Sequence, residues 1–230
     1  MILTRQRQAV MRWIDDNILE LGREMRLSYL PPLMVYCAAG VSGLTSIVGT
    51  FFVKDYLDLS AAFLAGLGFW AGIPWALKMP IGHLVDLLWR YKSGLVYLGA
   101  SLIAASLLIM IGLIGKPDAM RAVMAAEAWF VLATLLAPVG YVMQDAVADA
   151  MTVEAVPRID ADGRPLLAET VRLMHTTMQM LGRVAIIGGT VLVALANVAM
   201  FQGTEALPES AKAAIYLRLY ELARVIPLLS

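Results

Sequence analysis

The chain has 230 residues, of which 60% are hydrophobic and 16% are charged, and its mean hydropathy is +0.74. Soluble domains contain about 45–50% apolar residues, so this composition excludes an ordinary soluble domain and indicates a protein that lies in a lipid bilayer. Basic and acidic residues, 18 of each, give a formal net charge of zero, and no basic, aromatic-rich segment indicates nucleic acid as a partner.

The N-terminal segment, residues 1–30, predicts an amphipathic helix on the cytoplasmic surface of the membrane. Its apolar residues recur at helical spacing, while its arginines supply positive charge for lipid headgroups. A partly ordered cytoplasmic tail is the alternative interpretation. Charges are spread through the segment, so no cleaved signal peptide is predicted. Membrane lipid is therefore the first predicted partner.

Residues 31–230 predict a transmembrane helical domain, and its first helix is predicted at 33–53. Three glycines in this helix provide a surface that a neighbouring helix can approach closely. These glycines are Gly40, Gly43 and Gly49.

The second helix is predicted at 60–81, and near its end Lys78 lies between Pro74 and Pro80. A proline inside a helix removes a backbone hydrogen bond, and a charge in hydrocarbon is costly unless it is paired or faces water. This combination is typical of a transmembrane helix that lines a polar pathway. A charged loop is predicted to follow at 82–93. Its motif residues are Gly82, Asp86, Arg90 and Lys92.

The third helix, predicted at 94–115, is almost purely aliphatic, so we expect it to be the most lipid-exposed of the set. The fourth helix is predicted at 120–151. At about 100° per residue, Asp145 and Asp149 share one face near its end. Glu154 points away from that face and is predicted to be solvated.

The fifth helix is predicted at 168–201, and a polar stripe that ends at Arg183 runs along its first half. The sixth segment is predicted at 212–230. Too few residues follow Arg224 to cross a hydrocarbon core that needs about twenty, so we expect this segment to be a truncated helix.

Basic residues are more frequent in the segments that share a side with the N-terminus than in the loops on the other side. The positive-inside rule therefore predicts a cytoplasmic N-terminus, and the plasma (inner) membrane is the predicted location.

This orientation brings four charged residues, Lys78, Asp145, Asp149 and Arg183, to a similar depth in the cytoplasmic half of the membrane. Three interpretations are open: the long basic side chains extend to the interface, the four groups form a gating ion-pair network, or some of them contact a substrate or a coupling proton. Glu127 is a separate proton-coupling candidate, because it is an acid within the outer half of a membrane helix and has no obvious base nearby in sequence.

No motif of a known enzyme class is found, whether a nucleophile elbow, a zinc-binding H-E-x-x-H or a phosphate loop. Cys37 is the only cysteine and is expected to be a small packing residue. We therefore predict no catalytic residue, no metal and no cofactor.

Three motifs stand out. A Pro-Trp-x-x-Lys-x-Pro run closes the second helix, a Gly-x-Leu-x-Asp pattern opens the next loop, and an Asp-x-x-x-Asp pair ends the fourth helix. The stretch 36–154, which contains them, resembles the folate-biopterin transporter family of the major facilitator superfamily. The residues that carry the resemblance are Pro74, Trp75, Lys78, Pro80, Gly82, Leu84, Asp86, Arg90, Lys92, Asp145 and Asp149.

The resemblance implies an all-α membrane protein, the N-terminal six-helix half of a major facilitator fold, without the second half. It also implies alternating-access transport of a small organic solute of the folate or pterin type, anionic in character. Lys78, Asp145 and Asp149 would belong to the polar cavity or to its cytoplasmic gate. Met79 departs from the family pattern, in which lysine often runs directly into proline.

Two alternatives to this transporter remain open. One is a non-transporting membrane assembly or scaffold protein with a facilitator-like fold, and the other is a half-transporter that dimerises. Beside a small-molecule solute, the predicted partner is accordingly the missing second half, a second copy or a membrane-complex partner.

Overall fold

The structure is a computed structural model that describes residues 27–46, 48–49, 57, 59–160, 162–203 and 209–230. The amphipathic helix predicted at 1–30 lies outside these ranges except at its end, where a 3₁₀ turn at Leu27–Tyr29 leads into the first helix. Within the described ranges the regular structure is all-helical and includes no strand, and one isolated β-bridge joins Ile159 and Pro165.

Nine α-helices are defined in this described part of the chain. They are α1 (Leu30–Val41), α2 (Ala61–Ala76), α3 (Lys78–Leu87), α4 (Lys92–Gly115), α5 (Pro117–Arg121), α6 (Ala126–Ala155), α7 (Ala168–Phe201), α8 (Glu209–Ala223) and α9 (Ile226–Leu229). Two further 3₁₀ turns extend them, at Ser42–Thr45 after α1 and at Trp89–Tyr91 before α4.

Several of these helices are long and apolar enough to cross a membrane. α4 has 24 residues, which at about 1.5 Å per residue exceed a hydrocarbon core of roughly 30 Å. The bent pair of α2 and α3 adds a fifth span if the pair counts as one. The chain is therefore an integral membrane protein. The four single spans are Leu27–Thr45, Trp89–Gly115, Ala126–Ala155 and Ala168–Phe201.

α6 is the central helix and packs against α1, α2, α3 and α4. Its most extensive contact is with α4, where a Cβ atom built on Gly140 would lie 2.6 Å from the carbonyl oxygen of Gly99. No side chain fits at this point, so the two backbones touch directly, as small residues permit between membrane helices.

α1 and α7 form a second close pair. A Cβ atom built on Gly189 would lie 2.9 Å from the carbonyl oxygen of Cys37 and 2.9 Å from Cα of Gly40. The prediction that Gly40 allows a neighbouring helix to approach closely is therefore confirmed. At Gly43 a Cβ atom would meet Val193 at 3.9 Å, which is an ordinary contact.

The largest apolar cluster lies where α4, α6 and α8 meet. Its buried members include Ile103, Leu107, Phe130, Leu219 and Tyr220. This cluster holds the three helices together and forms part of the wall of the cavity described below.

The prediction of one continuous second helix at 60–81 is wrong. The helix breaks at Leu77, the two parts are bent by 41°, and α3 continues to Leu87. The loop predicted at 82–93 is wrong in its first half, because Gly82 and Asp86 are helical. The connection between α3 and α4 consists of residues 88–91.

The other helix boundaries agree to different degrees. The fifth helix is confirmed at Ala168–Phe201. The fourth begins at Ala126 rather than at 120, because the chain first forms the short helix α5. The first begins at Leu30 and tightens into a 3₁₀ turn after Val41. The sixth segment is divided into α8 and α9 at residues 224–225.

The expectation that α4 is the most lipid-exposed helix is wrong. In its most apolar stretch 33% of the residues are buried, against 17% in α7. α4 packs against both α6 and α8, whereas α7 contacts mainly α1. Aliphatic composition alone did not distinguish a helix that packs on two sides from one that packs on one side.

Candidate functional site

Lys78 is the first residue of α3, immediately after the break at Leu77. Pro80 explains why α2 ends where it does. It has no N–H to offer to the carbonyl of Ala76, four residues earlier, and its ring crowds that carbonyl. Pro74 removes another donor one turn earlier. The helix therefore turns at Leu77 and points Lys78 in a new direction.

α6 presents two carboxylates to Lys78. Asp145 and Asp149 lie four residues apart, so they share one face of the helix. Their environments differ, because the side chain of Asp145 is 10% exposed and that of Asp149 is 48% exposed. The inner carboxylate depends on a protein partner, whereas the outer one also contacts solvent.

The ammonium group of Lys78 bridges these two carboxylates. Lys78 Nζ forms an ion pair with Asp145 Oδ2 and a second with Asp149 Oδ2 at 2.8 Å. The hydroxyl of Tyr36, on α1, donates a hydrogen bond of 2.6 Å to Asp149 Oδ1. Four side chains from three helices thus form one polar network, and we refer to Lys78, Asp145, Asp149 and Tyr36 as the Lys78 network.

One lysine faces two aspartates in this network. If both carboxylates are ionised, the network carries one net negative charge, which is unfavourable within a membrane helix bundle. The Tyr36 hydroxyl stabilises the charge on Asp149 through a charge-assisted hydrogen bond but does not neutralise it. The arrangement therefore has room for one proton or for one additional positive charge.

Tyr36 reaches Asp149 because α7 leaves space for its ring. A Cβ atom built on Gly182 would lie 2.9 Å from both Cδ2 and Cε2 of Tyr36. Neither Tyr36 nor Gly182 is among the site residues predicted from the sequence. A tyrosine within an apolar helix was the available signal, since a buried hydroxyl needs a hydrogen-bond partner.

A cavity of about 480 Å³ lies close to the network, although none of the four network residues is among those that line it. Trp75 and Tyr141 line it, one helical turn before Lys78 on one side and before Asp145 on the other. Hydroxyl and aromatic groups form much of the wall, and none of the described residues that line it is charged. Others that line the cavity are Ser42, Thr45, Ser106, Phe130, Thr134 and Tyr220.

Among the described residues Arg183 does not join this network, so the interpretation in which all four charges form one ion-pair network does not apply to this residue. Arg183 is exposed, and in the described part of the chain no ion pair joins it to a carboxylate. The adjacent Gly182 faces Tyr36, and the next residue of a helix points about 100° away.

Glu127 lies apart from the network as well. It is exposed in the first turn of α6, 18 positions before Asp145, which corresponds to about 27 Å along the helix. A carboxylate in the first turn of a helix is stabilised by the helix dipole. This position supplies a structural reason for Glu127 that needs no proton coupling.

Two of the loop-motif residues, Lys92 and Arg90, make surface contacts apart from the Lys78 network. Lys92 pairs with Glu154 and lies over the ring of Trp89, with Nζ 4.6 Å from the centroid. Arg90 lies 4.8 Å from the ring centroid of Tyr91. Glu154 is 52% exposed, which agrees with the prediction that it is solvated, and it also pairs with a lysine from α4 across the helix pair.

The described residues contain no group of three or more His, Cys, Asp or Glu side chains that could hold a metal ion. Cys37 is half-buried on α1 and has a free thiol. Comparison with known proteins adds no assignment, because no family model, no curated protein and no solved structure matches this chain.

Proposed function

We propose that this chain is the N-terminal half of a secondary active transporter that works by alternating access. The observation that carries the proposal is the bridge from Lys78 to Asp145 and Asp149, formed at a helix break beside a cavity. The resemblance to folate-biopterin transporters and the apolar spans point in the same direction. The inner membrane and a cytoplasmic N-terminus belong to this proposal.

The helix break supplies the moving part of the proposed gate. α3 extends from Leu77 at 41° to α2, and Lys78 is its first residue. A change in this angle moves the ammonium group relative to α6, which carries both carboxylates. Discontinuous helices with charged groups at the break are a recurring arrangement in secondary transporters. The Lys78 network would therefore hold one face closed and release it when α3 moves.

The unequal charges of the network suggest how a solute and a proton are coupled. An anionic solute that binds Lys78 withdraws it from Asp145 and Asp149. Two neighbouring carboxylates without a cation favour uptake of a proton by one of them. Solute binding at Lys78 thereby promotes protonation of an aspartate, and the proton travels with the solute.

The adjoining cavity supports a ring-bearing organic solute of the folate or pterin type. Its volume of about 480 Å³ is within the range of small-molecule sites. Trp75 and Phe130 offer aromatic surfaces, while Ser42 and Thr134 offer hydroxyl groups. In this arrangement the solute ring occupies the neutral cavity and its anionic group reaches Lys78.

The test is uptake of labelled folate and pterin into liposomes that contain the native protein, extracted from its membrane together with any chain that completes its second half. Lys78→Ala is expected to abolish uptake while membrane insertion remains intact, and Lys78→Arg is expected to retain part of it because the charge remains. Lys116→Ala is the matched control, since Lys116 is an exposed lysine between α4 and α5. Normal uptake by the Lys78→Ala protein would contradict the proposed role of Lys78.

Absence of uptake by the unmodified protein would contradict the transporter proposal for these solutes. Co-purification of a fixed membrane partner in that case would favour the assembly or scaffold alternative.

A further inference from the structure

A second surface of the molecule combines apolar walls with two charged residues. A groove of about 620 Å³ runs between α4 and the segment formed by α8 and α9. We call it the α4–α9 groove. Its lining includes Ala100, Ala104, Leu108, Glu221, Arg224 and Leu228. Leu108 is 58% exposed and Leu228 is 81% exposed, so the groove opens outward from the bundle.

Contacts near the two ends of α4 show how the segment from α8 to α9 lies along it. At one end of α4, a Cβ atom built on Gly115 would lie 3.4 Å from Leu217. At the other end, Gln144 Nε2 donates to the carbonyl of Val96 at 3.1 Å and to Ser230 Oγ at 2.8 Å. The segment from α8 to α9 therefore runs antiparallel to α4 along most of its length.

Glu221 and Arg224 consequently lie beside the middle of a membrane-spanning helix. They share the groove with Ala104 and Leu108, and α4 extends from Lys92 to Gly115. Half of this helix is about 18 Å, which is longer than an extended arginine side chain. Extension to the interface therefore does not remove the Arg224 charge from hydrocarbon.

Lipid alone is a poor occupant of this groove. Both charged residues are exposed, and in the described part of the chain neither forms an ion pair. Arg224 Nε donates only to the main-chain carbonyl of Glu221, at 3.2 Å. Acyl chains offer neither a cation to Glu221 nor an acceptor to Arg224, and charges at this depth are costly without partners.

A second copy of the chain supplies both missing partners. Glu221 and Arg224 are three residues apart, so they project from the same side of the helix. In a two-fold dimer, the Glu221 of each copy can face the Arg224 of the other, because a symmetric interface makes every contact twice. Ala100 and Ala104, also in the groove, are spaced by four residues and permit close approach of helices.

We propose that the chain forms a two-fold dimer in the membrane through the α4–α9 groove, with two reciprocal Glu221–Arg224 ion pairs across the interface. No residue that lines the groove belongs to the Lys78 network or to the 480 Å³ cavity. Dimer formation is therefore independent of the proposed transport function, and each can fail without the other.

The experiment measures the monomer–dimer equilibrium of the full chain in liposomes of decreasing protein-to-lipid ratio, by single-molecule photobleaching. Glu221→Arg and Arg224→Glu, each alone, are expected to weaken the dimer about tenfold or more, because like charges then oppose each other. The double variant Glu221→Arg/Arg224→Glu is expected to restore it, because both reciprocal pairs re-form. Glu169→Arg, at an exposed position of α7, is the control and should have no effect.

Cysteine cross-linking provides an independent readout of the same interface. In a Cys37→Ser background, Ala104→Cys is expected to form a disulfide-linked dimer, whereas Leu195→Cys, exposed on α7, is not. The proposal is overturned if the unmodified protein is monomeric, or if the double variant dimerises as weakly as the single variants. Equal cross-linking at Ala104→Cys and Leu195→Cys would also overturn it.

Discussion

The Lys78 side chain is 36% exposed, and it meets one carboxylate that is nearly buried and another that is half exposed. This difference determines what each partner contributes. Water can replace part of the interaction at Asp149, whereas Asp145 has no comparable access to water. At the scale of single residues, the pair of Lys78 with Asp145 is therefore the part of the network on which folding depends.

We predict that Lys78→Met destabilises the protein by about 2 kcal/mol, because removal of one partner leaves a buried carboxylate unpaired. The further change Asp145→Asn should recover most of this loss, because the amide carries no charge that needs a partner. Thermal unfolding of the detergent-solubilised protein measures both effects.

Lys116→Met serves as the control for this series, and little change is expected there because the side chain is exposed. The Lys78→Met protein and the Lys78→Met/Asp145→Asn protein could unfold at the same reduced temperature. The loss of stability would then come from the packing of the lysine stem. The unpaired-charge explanation is then wrong.

Among the helices, glycines separate into two groups by what surrounds them. Gly99 and Gly140 lie at the contact of α4 with α6, where a Cβ atom would collide with backbone. Gly66, Gly68 and Gly72 of α2 have nothing within 4 Å of such an atom among the described residues. The glycines of α4 and α6 therefore permit a close contact between helices, whereas those of α2 make no such contact among the described residues.

Gly140→Ala is expected to destabilise the protein by about 2 kcal/mol, because it forces α4 and α6 apart. Gly66→Ala is the matched control, and it should be neutral or stabilising by up to about 1 kcal/mol, since alanine favours helix. Unfolding in the same detergent compares the two variants. Equal stability of both would show that the α4–α6 contact adapts to a methyl group.

For the whole molecule, the antiparallel path of α4 and α6 fixes the relative position of two turns. Asp118 lies in the short helix α5 at the turn that follows α4, and Asp162 lies in the turn that follows α6. Since both helices are long enough to cross the membrane, these two turns lie on opposite sides of it.

In a Cys37→Ser background, we predict that a membrane-impermeant maleimide labels Asp118→Cys in intact cells but labels Asp162→Cys only after permeabilisation. The excess of basic residues on the N-terminal side gives this direction. Reversed labelling would contradict the cytoplasmic N-terminus. Labelling of both positions in intact cells would contradict the crossing of the membrane by α6.

The features that were predicted correctly are those that depend on local composition. Long apolar runs predicted the membrane helices, and the bounds of the fifth helix agree with α7 because its ends are set by neighbouring polar segments. Pro74 and Pro80 lie on either side of the helix break, and their missing N–H groups are a property of the residues themselves, but the sequence predicted one continuous helix at 60–81. An ion-pair network of Lys78 with Asp145 and Asp149 was one of the open interpretations, because few other opposite charges were predicted in the cytoplasmic half of the membrane.

The contacts between side chains could not be predicted in the same way, because they depend on how each helix is rotated and shifted relative to its neighbours. Gly182 faces Tyr36, so the next residue, Arg183, points away from the network although its depth is similar. Lys92 on α4 and Glu154 on α6 form a pair although they are 62 positions apart in the chain. Successive residues of a helix point about 100° apart, so a small rotation of the helix exchanges buried and exposed positions. Composition does not specify how a helix is rotated relative to its neighbours.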